Sequence, residues 1–387
     1  MLFWNIFAYT DLILFILTAL TVLYLLIFAT ASMFSRTKEI PKPRNMNRFV
    51  ILIPAYKNKS VIQTVQSTLG QTYPQRLFDI TVISDHLDEM TNFHLAQEPV
   101  TLLTPNFEEG SKIKSLQLAI NNLPQFKIYD LVIILEGGNV VEPEFLEQMN
   151  AAYESAGTKA IQAHRLSMNR DTVSSRLSSI FEEINNSIFR RGHITIGLSS
   201  AITSAGVAFD FEWFKQNIMT FKSSWDDKEL EIRLLRQHIF IEYFDDILVY
   251  DEKSRQAEEF NRQHGNWMIR QLYSVLRNFH FLPYAIYNRH YDLIDKIIQW
   301  MLIPRVFMMI IIIIMGIITP FIFMTAALKW WALFAIVILV FAMATPNYLV
   351  DDKWNSTFFK IPFVLLSNIL NKFKWGRKIS DLADLKK

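Results

Sequence analysis

Apolar positions along this chain follow two different rhythms. Near each end they run unbroken, and in the middle they come in short runs separated by amphipathic stretches. Leu12 to Phe34 carries no charge and is long enough to cross a hydrocarbon core of about 30 Å as a helix. Val306 to Leu328 is a second such run, interrupted only by Pro320, which membrane helices tolerate. Trp330 to Thr345 is a third and shorter run, opening with Trp330 and Trp331, the residue type that marks membrane–water boundaries. The alternative for each is a buried core helix, weighed most for the third. A secretory signal is disfavoured, because no Lys or Arg precedes the first run and the run is too long.

Between these runs the pattern alternates strand and helix, which predicts a mostly parallel sheet covered on both faces. Strands are expected at Phe49–Pro54, Asp79–Ser84, Val100–Leu103, Leu131–Leu135, Thr158–Ala163 and Ile239–Phe244. Helices are expected at Ser60–Leu69, Ile113–Asn121, Ser174–Phe189 and Asp227–Gln237, with a further helix opening at Pro143. From Arg270 to Trp300 aromatic and aliphatic residues interleave with Arg and Lys, as in helices lying on a membrane surface. Trp354–Phe373 reads likewise.

Charge orients this arrangement. Arg36, Lys38, Lys42, Arg44 and Arg48 follow the first run and nothing basic precedes it. The positive-inside rule then places the N-terminus outside and residues 35–305 in the cytoplasm. Lys360, Lys372, Lys374, Arg377 and Lys378 point to a cytoplasmic C-terminus. The expected organisation is a membrane helix at 1–34, a basic tether at 35–48, an α/β domain at 49–272, membrane-interface helices at 273–305, a transmembrane hairpin at 306–345, and an interfacial helix with a basic tail at 346–387. The expected location is the cell's inner membrane, with multiple passes. Hydrophobic residues make up 51% of the 387 and the net charge is only +2, so nothing suggests a nucleic-acid partner. No Cys is present, which excludes disulfides and thiolate chemistry.

The candidate chemistry sits at strand ends and helix starts, where an open α/β sheet binds ligands. Ile53-Pro54-Ala55-Tyr56 ends the first strand and Asp85 the second. A carboxylate there can accept hydrogen bonds from a base or ribose, although a plain turn or cap residue fits equally. Lys112 and Lys114 open a helix, and Glu136-Gly137-Gly138-Asn139 follows the central strand. Asp226 and Asp227 stand at a helix start, where free backbone N–H groups keep a carboxylate ionised. Gly206 lies in a Gly/Ser-rich stretch, and Gln263-His264-Gly265-Asn266-Trp267 closes the domain.

This series resembles the membrane-bound family-2 glycosyltransferases of GT-A fold, synthase-like, over roughly residues 48–272. The resemblance implies a nucleotide pocket of Ala55, Tyr56, Asp85, Lys112, Lys114 and Glu136. It implies an acceptor side of Gly206, Asp226, Gln263 and Trp267, with Asp227 as the general base. It further implies inverting transfer from a nucleotide sugar, UDP-linked by expectation, to a glycan or lipid-linked acceptor at the membrane, in glycan or polysaccharide synthesis. Two motifs depart from the family. Its Asp-x-Asp reads Glu136-Gly137-Gly138, so the residue expected to hold Mg or Mn is missing and no metal ligand is assigned. Its Gln-x-x-Arg-Trp has Asn266 for Arg. Lys57-Asn58 also replaces the usual Asn-Glu. The alternative is therefore an impaired relative acting as a binding or scaffold subunit beside a protein partner in a membrane glycan-assembly complex.

Overall fold

The computed structural model describes residues 2–36, 38, 40–108, 110–221, 227–253, 271–322 and 324–350. An eight-stranded sheet organises the central region, in the order β3-β2-β1-β4-β7-β6-β8-β5. Its strands are β1 Phe49–Tyr56, β2 Phe78–Asp85, β3 Thr101–Leu103, β4 Leu131–Ile134, β5 Asn139–Val141, β6 Ala160–Ser167, β7 Val207–Asp210 and β8 Ile241–Asp251. β1 pairs in parallel with both β2 and β4. Buried on both faces, it is apolar at almost every position. Pro54, which cannot donate to a ladder, lies beyond the last β1–β4 pair, Leu52 with Ile134.

Alternate side chains of β1 enter two separate cores. Phe49, Ile51 and Ile53 pack under α2 (Val61–Leu69), α3 (Glu89–Ala96) and α5 (Phe145–Ala156). Val50 and Leu52 face α4 (Lys112–Asn122), α8 (Phe211–Ile218) and α9 (Asp227–Arg236). The expected elements are present with shifted ends. β6 and β8 run farther than their apolar stretches, because charged residues of both enter a buried ion network. β5 and β7, not expected from the sequence, are too short to show a period.

The predicted helix Ser174–Phe189 divides. α6 covers Val173–Asn185, and a π-helical segment, Asn186–Gly192, leads into a single turn, α7 (His193–Thr195). This segment lies against α1 (Leu2–Met33): any side chain at Gly192 would strike the Phe28 carbonyl oxygen. His193 stacks on Phe28 with ring centroids 3.7 Å apart.

Helix α10 (271–278), α11 (Leu282–Tyr287) and α12 (Tyr291–Met301) follow the domain. They are not a simple surface layer, because Ala285, Leu293, Ile297 and Trp300 complete the α9 side of the core. Their outer faces still expose Leu272, Tyr273, Leu276, Tyr284 and Tyr287. α13 (Arg305–Ile318) stops at a turn, Thr319–Phe321, and α14 spans Met324–Ala344. The apolar run Val306–Leu328 is thus shared between two helices rather than forming one span, because Pro320 lacks the N–H that would continue the helix. Two helices are long and apolar enough to cross a membrane, Asn5–Met33 and Ala326–Ala344, or three if α12 and α13, bent by 53°, count as one. Asp11 lies inside the first and is held by Lys329 and by Trp330 Nε1 at 2.8 Å. Trp330 is fully buried there, whereas Trp331 is half exposed. The segment 354–373 lies outside the described residues.

A buried polar line joins these helices to the domain. Tyr24 on α1 donates to Asp295 at 2.8 Å and meets His193 Nε2 at 3.0 Å. Next to Asp295, the fully buried Lys296 approaches Glu231 of α9 at 3.5 Å.

Candidate active site

β1 and β2 end side by side, with Tyr56 in register with Asp85. Both chains then turn through left-handed residues, Lys57 (φ 50) and His86 (φ 58), and the Lys57 N–H donates to the Asp85 carbonyl at 3.1 Å. The Asp85 side chain is 3% exposed. Its Oδ1 meets His86 Nδ1 at 2.6 Å, while Oδ2 is buried and has no partner among the described residues. Such an orphan oxygen is costly unless a ligand completes it. Tyr56 is half exposed beside it, with its ring edge-on to His86 at 5.6 Å. Ala55 is buried beneath, its Cβ 3.4 Å from the position a Cβ on Gly137 would take.

The corner after β4 is held by its neighbours. Asn58 donates to the Gly137 carbonyl at 2.5 Å, and Thr64 accepts from the Gly138 N–H at 2.8 Å. Asn139 accepts from the Glu136 N–H at 2.7 Å and donates to Asp251 at 3.0 Å. Gly138 has φ 102, a conformation nearly closed to other residues. Glu136 meets Lys112 Nζ at 2.5 Å and Arg165 at 3.9 Å. Lys112, followed by Arg165, holds this carboxyl down to about 2, against the upward push of burial. Lys114, two residues along and so on a different face of α4, lies over the Phe107 ring instead.

Arg165, on β6, was not singled out from the sequence. It pairs with Asp251 at 2.7 Å and approaches Glu182 at 3.7 Å. Lys253 reaches Asp251 at 2.8 Å and Glu182 at 3.6 Å, and Arg190 reaches Glu182 at 3.1 Å. Burial pushes the Glu182 carboxyl up, but these three cations win and hold it below the usual range. Charged residues ending β6 and β8, both longer than their apolar cores, were the available signal.

The loop expected on the acceptor side is gripped by two elements. Along 202–206, the Ile202 N–H goes to Glu231 at 2.8 Å, that of Thr203 to Gln162 at 2.7 Å, and that of Ser204 to Asp227 at 3.1 Å. The Ser204 hydroxyl also donates to Asp227 and lies close enough to Glu136 to help keep it ionised. Asp227 and Glu231 stand one turn apart on α9, so one helix face sets the loop. Gly206 contributes backbone only: its N–H goes to Ile134 O at 3.0 Å and its carbonyl accepts from Ala163 at 2.9 Å. Asp226, Gln263 and Trp267 lie outside the described residues, as does Asn266.

Ser204 thus ties this loop to the helix-start carboxylate Asp227. The family model described as glycosyltransferase like family 2 matches residues 46–269. This chain belongs to that family. The fold is also that of a solved relative, the mannosyltransferase PcManGT from Pyrobaculum calidifontis, in a complex with GDP-Man and Mn2+. The two share 12% identity and superpose with a TM-score of 0.53 over 94% of this chain and 98% of the other. TarS 1–349 of S. aureus is more distant, with 12% identity and a TM-score of 0.43 over 83% and 88% of the two chains. No curated protein matches the sequence. The central domain is therefore GT-A-like, joined to apolar helices suited to a membrane.

The divalent ion associated with this family does not fit the residues here. Gly138 offers no carboxylate, and Glu136 is already neutralised by Lys112 and Arg165. No group of three or more His, Cys, Asp or Glu able to hold a metal occurs among the described residues. A hard cation on a diphosphate needs oxygen ligands, and this corner presents cations instead.

Proposed function

We propose that this chain is a membrane-anchored, inverting family-2 glycosyltransferase that binds its nucleotide sugar, UDP-linked by expectation, with side-chain cations in place of a divalent ion. The observation carrying this reading is the pair of cations, Lys112 and Arg165, gathered at the strand-end carboxylate Glu136. Asp85 Oδ2 accepts from the base or ribose, and Tyr56 flanks the ring. Lys112 and Arg165 turn from Glu136 toward the diphosphate, which develops charge as the glycosidic C–O bond breaks. Asp227 takes the proton of an acceptor hydroxyl as its oxygen attacks the anomeric carbon. The products are the glycosylated acceptor and a nucleoside diphosphate, and the acceptor is a glycan or lipid-linked molecule presented at the membrane.

A second reading is favoured by the engagement of both Asp227 oxygens with Ser204. Here the chain binds a nucleotide or glycan as a subunit of a glycan-assembly complex and transfers nothing. Calorimetry of the purified full chain with UDP, with and without Mg or Mn, tests the shared part. Binding that changes less than about tenfold with metal, roughly 1.4 kcal/mol, is expected. A larger gain would show that a carboxylate rebuilds a metal site. Donor hydrolysis or transfer in the same preparation separates the two readings.

A further inference from the structure

A cavity of about 220 Å³ opens where the last turn of α1 meets the domain, away from the transfer cleft. Ser32, Ser35 and Arg36 line it from the helix end, Arg191 from the π-helical segment, and Asp245 and Asp246 from β8. Its level is set by α1, whose apolar stretch ends at Met33. The cavity therefore stands at the boundary where that helix leaves hydrocarbon.

Most charge around it is already paired. Lys38 holds Glu242 at 2.7 Å. Asp245 takes Arg191 at 2.6 Å, His164 at 2.9 Å and the Tyr243 hydroxyl at 2.8 Å. One cation and one anion are left over: Arg36 and Asp246, both exposed and without a partner among the described residues. In addition, the Arg191 Nε is buried and has no acceptor. A simple anion entering here would meet Asp246, and a simple cation would meet Arg36. A phosphate ester that also carries a primary ammonium satisfies both. The space is below that of sites for drug-sized ligands, which start at about 300 Å³, and suits a headgroup rather than a whole lipid. Ile27 and Met33 on α1, and Phe34 just after it, are exposed nearby, an apolar track for acyl chains.

We propose that this cavity binds the phosphoethanolamine headgroup of a membrane lipid, with its phosphate on Arg36 and the Arg191 Nε–H and its ammonium on Asp246. The proposal rests on insertion of α1 in the membrane, not on the transfer chemistry. The full chain is reconstituted in nanodiscs of phosphatidylcholine doped with phosphatidylethanolamine or with phosphatidylglycerol, and retained lipid is counted by native mass spectrometry.

Phosphatidylethanolamine should be retained over phosphatidylcholine, whose quaternary nitrogen has no N–H, and over phosphatidylglycerol, which has no ammonium. Arg36→Gln and Asp246→Asn alter exposed side chains and leave the fold intact. Each should lower that retention roughly tenfold, the worth of one charge-assisted hydrogen bond. Asp246→Asn should also erase the preference over phosphatidylglycerol. Equal retention of the three lipids, or wild-type retention in both variants, overturns the proposal. Competition by soluble O-phosphoethanolamine as effective as that of the lipid would mean a free metabolite, and equal competition by inorganic phosphate a plain anion site; either overturns it. Extraction of the chain from vesicles by alkaline carbonate would instead show that α1 is not inserted.

Discussion

Asp85 and Glu136 both stand at the carboxyl ends of strands that run parallel to β1, yet their surroundings differ. Asp85 is nearly sealed from solvent, with one oxygen lacking any partner among the described residues. Glu136 is more open and is neutralised by Lys112 and Arg165. In the proposed function the nucleoside end of the cleft is thus unfinished without a ligand, whereas the phosphate end is complete without one. On that proposal a diphosphate competes with Glu136 for its cations, and the binding energy of the nucleoside is available to drive that exchange. Selectivity should therefore reside at Asp85 and electrostatic catalysis at Lys112 and Arg165.

The sharpest test lies across the cleft. Asp227→Asn should lower turnover by about 10²–10⁴, the contribution of a positioned base, while UDP affinity stays near wild type. Unchanged turnover would leave Asp227 only its grip on Ser204. At the nucleoside end, Asp85→Asn should weaken UDP binding by about ten- to a hundredfold, as for a lost hydrogen bond to a charged group. Calorimetry that detects no loss would move the base pocket elsewhere. At the phosphate end, Gly138→Asp restores the family's carboxylate at φ 102, where a side chain costs about 1–3 kcal/mol. Lower thermal stability and no new metal requirement are expected. A variant as stable as wild type that gains metal-dependent transfer would make the glycine the sole defect.

The smallest effect concerns pH. Burial opposes charge on His164, but Asp245 and Glu183 outweigh it and raise its pKa from 6.5 to about 9. Because the folded value is the higher one, this stabilisation is complete below about 6.5 and is lost as pH rises through about 9. Melting curves across that window should show a modest decline that His164→Gln flattens.

What could be read in the sequence was whatever repeats locally. The apolar strands β1, β2 and β4 carry their own pattern, and the acids and lysines at their ends followed from position. Asp85, Glu136 and Lys112 lie together around the cleft for that reason. Arg165 and Asp251 were not legible as a site, because their pairing depends on β6 lying parallel to β8, which no local period encodes. The strained φ of Gly138 was equally invisible, although the adjacent glycines suggested a close approach. The run containing Pro320 shows the limit in the other direction: hydropathy marked apolar character but not where the helix turned.

The buried line from Tyr24 through His193 and Asp295, and the adjoining Lys296–Glu231 pair, bears on how the molecule opens. Detaching α1 or α12 would strand ionisable groups that the interior has desolvated, a penalty of several kcal/mol for each unpaired charge. Anchor and sheet should therefore share one cooperative unfolding unit. Amide hydrogens in the half of α1 nearest the domain should exchange as slowly as those of β1, even where detergent replaces lipid. A soluble version of the domain would first need uncharged replacements for Asp295 and Lys296.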